Sequence, residues 1–281
     1  MKRIKSILIA VGILAAFTSL VPAQTNVVTV TNIVTVVVTN VVTVTNLVVA
    51  VPAPAPAVVV VPPAPVRYPW LSSISAGATV TRGNSHTLLY SGNFLTEKKT
   101  PINEISIGAD GAYGSQNSVA TVNNYHAFTQ WNHLFTERFY DYVRVDGLRD
   151  IIADLNYRIN VGPGVGYYFV KQTNTFLSTE AGAGYQNEDL GGTYNSFCTL
   201  RLDERFEHKF DGHARFWQNL ELVPQVDDFN NYVLNAEIGL ETVITKSVSL
   251  KTCVDDSYQN VPAAGRQKND FKLISGITYK F

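Results

Sequence analysis

The sequence predicts an all-β protein: a closed antiparallel transmembrane β-barrel of about 12 strands, preceded by a short coiled-coil stalk and a Pro-rich spacer. Three observations carry that reading. From Trp70 to Phe281 the chain divides into segments of alternating apolar and polar residues, broken at turn residues. The last segment puts Phe271, Leu273, Ile277, Tyr279 and Phe281 on one side of a strand and Lys272, Thr278 and Lys280 on the other. Finally, no stretch after residue 23 is long and apolar enough for a conventional spanning helix, so embedding in a membrane would be by strands.

Residues 1–23 read as a signal peptide. Lys2, Arg3 and Lys5 form a basic start, Ile7 to Leu20 an apolar core, and Val21-Pro22-Ala23 a small-residue cleavage site. An exported chain is the expectation, with the bacterial outer membrane of a Gram-negative cell as its destination. Composition agrees with a strand-rich envelope protein: 46% hydrophobic residues, 14 Tyr, 14 Phe and a net charge of -1, with no basic footprint for nucleic acid.

Residues 24–51 hold a repeat in which TNVVTVTNIVTVVV is followed by TNVVTVTNLVVAVP. Laid out in heptads, Val27, Val34, Val41 and Val48 fill one column and Val30, Val37, Val44 and Val51 another. That spacing is a coiled-coil seam, and β-branched residues at both seam positions favour trimers, so a homotrimer through residues 25–52 is expected. Val, Thr and Asn are poor helix formers, and a β-stacked segment is the competing reading. Residues 52–69, beginning PAPAPAVVVVPPAP, exclude helix and read as an extended linker.

The barrel occupies residues 70–281, with strands expected near 70–82, 85–95, 102–114, 117–132, 138–149, 154–170, 174–187, 191–206, 212–222, 229–243, 246–257 and 269–281. An even number suits a closed antiparallel barrel with both ends of the chain on the periplasmic side. Two faces recur. Val143, Val145 and Gly147 oppose Tyr140, Tyr142, Arg144 and Asp146; Ala214, Phe216, Leu220 and Leu222 oppose His213, Arg215, Trp217, Asn219 and Glu221. In a soluble ligand-binding barrel the apolar face would be inside, and in a membrane barrel it meets outer-membrane lipid. Cys198 falls in phase with Leu200 and Leu202, whereas Cys253 falls in phase with Lys251 and Asp255, so the two thiols should face opposite sides and remain free.

Gly276, Tyr279 and Phe281 resemble the assembly signal that the barrel-assembly machinery reads on its substrates, which makes that machinery an expected partner. The chain also resembles the YdiY-like family of salt-induced outer-membrane proteins. The resemblance rests on Ser75-Ala76-Gly77, on Thr81-Arg82-Gly83-Asn84-Ser85, on Gly162-Pro163-Gly164-Val165-Gly166-Tyr167-Tyr168 and on Tyr279-Lys280-Phe281. It implies a cell-envelope barrel linked to salt or envelope stress and carries over no biochemical activity.

Candidate chemistry is sparse. Gly162 to Gly166 lacks the spacing of a phosphate loop and reads as relief of crowding in a strand. His86, His126, His133, His208 and His213 show no ligand spacing, so no metal or other cofactor is expected. Ser85-His86 is the one pair that a phospholipase-like hydrolase could use, but neighbours in a strand point to opposite faces, and no enzyme activity is expected. The functional lead is a set of charges on the polar face: Arg144, Asp146, Arg158, Glu180, Arg201, Asp203, Arg205, Arg215, Glu237 and Glu241. Interleaved signs would either plug the lumen as a solid post or line a narrow porin-like channel, and both outcomes stay open at this point.

Overall fold

The computed structural model describes residues 66–81, 87–210 and 212–281. The signal peptide, the heptad repeat, most of the linker and the Ser85-His86 pair lie outside the described residues. Twelve strands follow in order: β1 (Trp70–Thr81), β2 (Thr87–Lys99), β3 (Asn103–Gln116), β4 (Val119–Leu134), β5 (Phe139–Asp150), β6 (Leu155–Lys171), β7 (Thr175–Leu190), β8 (Thr193–Phe210), β9 (Ala214–Pro224), β10 (Tyr232–Val243), β11 (Val248–Gln259) and β12 (Asn269–Lys280). Each pairs antiparallel with the next, and β1 pairs with β12, so the sheet closes. Closure gives every strand two neighbours, which an apolar medium favours because it offers no hydrogen bonds to a bare backbone.

All twelve expected strands are present, with boundaries moved by at most a few residues. The largest extensions are at the ends of β2, β7 and β8, which run on to Lys99, Leu190 and Phe210. Polar residues there stay in register with a neighbour, as in Lys99↔Glu104 and His208↔Thr175, and pairing outlasts the apolar pattern by which a strand is recognised.

The connections make two kinds of barrel end. At the terminal end, where β1 begins and β12 finishes, threonines close three hairpins by accepting backbone N–H bonds: Thr100 from Asn103 (2.9 Å), Thr136 from Phe139 (2.8 Å) and Thr245 from Val248 (3.0 Å). At the opposite, loop end, β3–β4 turns through Asn117 and Ser118 (φ 49° and 67°), and β7–β8 through Gly191 and Gly192 (φ 60° and 75°). Positive φ at both central residues matches the hairpin turn to the twist of its strands. The nine residues 260–268 between β11 and β12 form the longest connection among the described residues.

The apolar face is outside. Val143 and Val145 on β5, Val161 and Val165 on β6, and Ile238 and Leu240 on β10 are all exposed. Aromatic side chains flank this aliphatic band at both ends: Trp70, Trp131, Phe139, Tyr167 and Tyr279 near the terminal end, and Tyr90, Tyr113, Tyr125, Tyr185 and Phe271 near the loop end. Two aromatic girdles around an aliphatic belt are the surface of a bilayer-spanning barrel. The arrangement is the inverse of a soluble ligand-binding barrel, and it removes that alternative. No helix among the described residues is long and apolar enough to cross a membrane.

Cys198 is exposed on the outer face and Cys253 is buried on the inner one. Mass spectrometry of the folded protein is expected to show two free thiols. In detergent, Cys198 should react with maleimide and Cys253 only after unfolding. A Cys198–Cys253 disulfide would contradict the strand phase.

Candidate functional site: a charged lumen

Alternate residues of every strand point inward, so register between strands decides which inward side chains meet. The central meeting point is Arg201 on β8. Its guanidinium donates to Glu180 Oε2 on β7 (2.5 Å), Glu221 Oε1 on β9 (2.6 Å) and Tyr142 Oη on β5 (3.2 Å), and lies 3.1 Å from Asp203 Oδ2. Glu180 Oε1 also accepts from Gln130 Nε2 and Tyr140 Oη, both at 2.8 Å. Gln130 Oε1 in turn accepts from Arg144 (3.0 Å), which holds Asp146 through two bonds of 2.7 Å.

The chain of bonds continues in both directions. His126 lies between Asp146 (3.4 Å) and Asp110 of β3 (2.9 Å). On the other side Glu221 accepts from Asn235 of β10 (3.0 Å), whose carbonyl accepts from Ser257 of β11 (2.8 Å). A polar network thus runs around the inner wall from β3 to β11. Interior charges persist in a low-dielectric setting only when paired and hydrogen-bonded, and Arg201, Glu180, Glu221, Arg144 and Asp146 each have two or more partners.

Room for the network comes from glycine. A Cβ at Gly164 would stand 2.4 Å from the Tyr142 ring, and one at Gly166 2.2 Å from the Tyr140 ring. The run from Gly162 to Gly166 therefore relieves crowding, as its place in a strand suggests: the two tyrosines lie over bare backbone. Tyr140, Tyr142, Tyr168 and Leu134 form a small buried cluster with Phe176 beside it, and Tyr168 donates to Glu104 Oε2 of β3 (2.5 Å).

The ten charges singled out by alternation all project inward, and the structure sorts them into separate groups. Arg144, Asp146, Glu180, Arg201 and Asp203 share the central network. Arg158 stands apart with Glu188 (2.7 Å). Arg215 pairs with Glu241 (2.7 Å), which also accepts from Ser249 and Lys280. Glu237 accepts from Trp217 Nε1 (2.9 Å) and lies 3.5 Å from Lys251. Among the described residues Arg205 makes no hydrogen bond; its nearest carboxylate there is Glu207 at 3.9 Å, and its guanidinium lies 5.8 Å from the centre of the Phe176 ring. Gln130, Glu104 and Glu188 were not read from the sequence, and Glu221, placed there on the polar face, was not among the ten charges. Glu221 stands two residues from Asn219 in the inward phase of β9 and was legible as an inward acid, but its role as partner of Arg201 depends on register.

Packing differs around the wall. Arg201 and Glu180 retain 14% and 9% side-chain exposure, and the cavity between Tyr142, Arg144, Asn160 and Arg201 measures only about 10 Å³, room for one water. Arg205, Glu237 and Arg215 retain 40%, 32% and 30% although they too face inward. Behind them, β12, β1 and β2 present small groups: Gly276, Thr278, Ser73, Ser75, Gly77 and Ser91.

Among the described residues no group of three or more His, Cys, Asp or Glu side chains is arranged to hold a metal ion. His126, His133 and His208 are instead hydrogen-bonded to Asp110, Asn103 and Thr175.

Among solved structures the chain is similar to the NanC porin, with 9% identity and a TM-score of 0.49 over 75% of this chain and 100% of that one. It is similar to an outer membrane channel from Pseudomonas putida F1, with 10% identity and a TM-score of 0.48 over 78% and 97%. A third likeness is to the KdgM porin, with 10% identity and a TM-score of 0.41 over 75% and 99%. No curated protein matches the sequence. The family model described as "Protein of unknown function, DUF481" matches residues 74–281, and the chain belongs to that family.

Proposed function

We propose that the protein is a narrow, water-filled channel of a bacterial outer membrane, with the ten inward charges lining its passage and no catalytic role. The observation that carries this reading is the uneven solvation of the lumen: Arg205, Glu237 and Arg215 keep a substantial share of their surface open to solvent. A solid post would pack these groups as tightly as Arg201 and Glu180. Both the start of β1 and the finish of β12 lie at one end, which supports a placement with the short threonine-closed hairpins on the periplasmic side and the loop end outside the cell. In this reading residues 1–23 direct export, the assembly machinery inserts the barrel, and outer-membrane lipid covers the aliphatic belt.

Two finer points rest on sequence alone. Resemblance to the YdiY-like family supports a role under salt or envelope stress, and the valine seam of residues 25–52 supports a trimer. Planar-bilayer recording of the full-length protein tests the channel and the trimer together. We expect small steps, far below those of a general porin, arriving in coupled groups of three that become single when residues 25–52 are deleted. A silent bilayer from correctly folded protein would overturn the channel. Single steps from the full chain would overturn the trimer, and loss of growth at high salt on deletion of the gene is expected if the stress role holds.

A further inference from the structure

The charges of the lumen are not spread evenly along its axis. At the loop end the inward acids are Asp150, the last residue of β5; Asp270, the second of β12; Asp255 on β11; and Glu188 on β7. Asp255 is offset by Lys272 (3.3 Å) and Glu188 by Arg158 (2.7 Å), but Asp150 and Asp270 have no ion-pair partner among the described residues. β5 and β12, which carry them, are five strands apart around the barrel, so the two acids mark the loop end on well-separated parts of the wall. Asp154, Asp227 and Asp228 in the adjoining connections are matched in number by Arg82, Arg266 and Lys268, so the excess of acids belongs to the strands themselves.

The terminal end has the opposite balance. Lys99, Lys171, Lys209 and Lys280 lie at or next to the last residue of their strands. Each has an acid neighbour, yet the acids are shared. Glu207 faces Lys209 at 3.5 Å, Arg215 at 3.2 Å and Arg205 at 3.9 Å, and Glu241 serves both Arg215 and Lys280. Two carboxylates, Glu207 and Glu241, among the four cations Arg205, Lys209, Arg215 and Lys280 leave positive charge over, in the part of the lumen where the side chains are most exposed.

We propose that the lumen is a bipolar passage that rectifies ionic current, gathering small cations at its loop end and small anions at its terminal end. This rests on the channel reading. The physical reason is that each mouth enriches the ion it attracts. A voltage that makes the loop-end side positive drives cations inward from the acidic mouth and anions inward from the basic mouth, so both accumulate at the junction. The opposite polarity draws both out and depletes it. Fixed charges of both signs in a low-dielectric wall act over a Debye length comparable with the lumen radius at low salt.

The experiment is single-channel recording of the full-length protein at both polarities. Orientation is reported by streptavidin on a biotin attached to the exposed Ala264→Cys, in a Cys198→Ser/Cys253→Ser background. Current with the loop-end side positive is expected to exceed the reverse current about twofold at 0.1 M salt and to equal it at 1 M, where the Debye length falls from about 10 Å to about 3 Å. In Asp150→Asn/Asp270→Asn the ratio should fall to about one with conductance retained. Asn at position 150 still accepts the turn bonds from Ile152 and Ala153. A conducting channel with equal currents at 0.1 M, or with the larger current at loop-end negative, would overturn rectification and leave the channel standing. Absence of any current from folded protein would remove both.

Discussion

Removal of residues 279–281 is expected to leave a chain that does not close into a barrel and is degraded before it reaches the membrane. The β1–β12 seam is the shortest in the structure. Its register covers only Ser73↔Lys280 to Gly77↔Gly276, whereas the next shortest, β8–β9, runs from Leu202↔Leu222 to Phe210↔Ala214. The deletion takes away Ile74↔Tyr279 and Ser73↔Lys280. It also removes the two bonds that Phe281 exchanges with Ser72, at 2.9 and 3.0 Å.

Each backbone group left bare toward lipid costs on the order of several kcal/mol, so losing three residues' worth of pairing is comparable with the net stability of an ordinary domain, about 5–15 kcal/mol. Glu241, 2% exposed, would in addition lose Lys280. Loss of the heat-modifiable band in the outer-membrane fraction is the readout. Phe281→Ala keeps the backbone bonds and should only slow assembly. A truncated chain that accumulates in the outer membrane with a normal heat-modifiable shift would show that the seam does not govern closure.

Replacing Arg201 with Ala should destabilise the barrel by about 3–5 kcal/mol, because three carboxylates, Glu180, Asp203 and Glu221, then face one another without the cation that neutralises them. Arg205→Ala, two residues along the same strand, should cost less than about 1 kcal/mol, since that side chain is 40% exposed and makes no hydrogen bond. Urea unfolding in lipid vesicles, followed by tryptophan fluorescence, separates the two. Adding Glu180→Gln to Arg201→Ala should recover part of the loss by removing one of the stranded charges. Equal destabilisation by the Arg201 and Arg205 variants would mean that the central network does not hold the wall.

Much of the architecture was legible in the order of residues, and particular elements show why. Alternation such as Val143-Arg144-Val145-Asp146 is a property of neighbours in the chain, and a strand turns successive side chains to opposite faces whatever surrounds it. The twelve strands, their two faces and the opposite orientation of Cys198 and Cys253 follow from that local geometry. Which face is inside does not, because a soluble and a membrane barrel share one pattern. The position of the aliphatic belt between two aromatic girdles decided it.

The lumen was legible as a list and not as an arrangement. The sequence by itself determined that Arg201, Glu180 and Arg144 point to the polar face, since each lies in phase with other polar residues of its own strand. Only the closed tertiary structure decided that Arg201 meets Tyr142, 59 residues earlier in the chain, that Glu180 is shared with Gln130, and that Arg205 keeps 40% of its side chain exposed. The physical reason is register: bonds across a lumen depend on how twelve strands slide past one another and on the bulk of the side chains opposite. Neither is a property of any one segment.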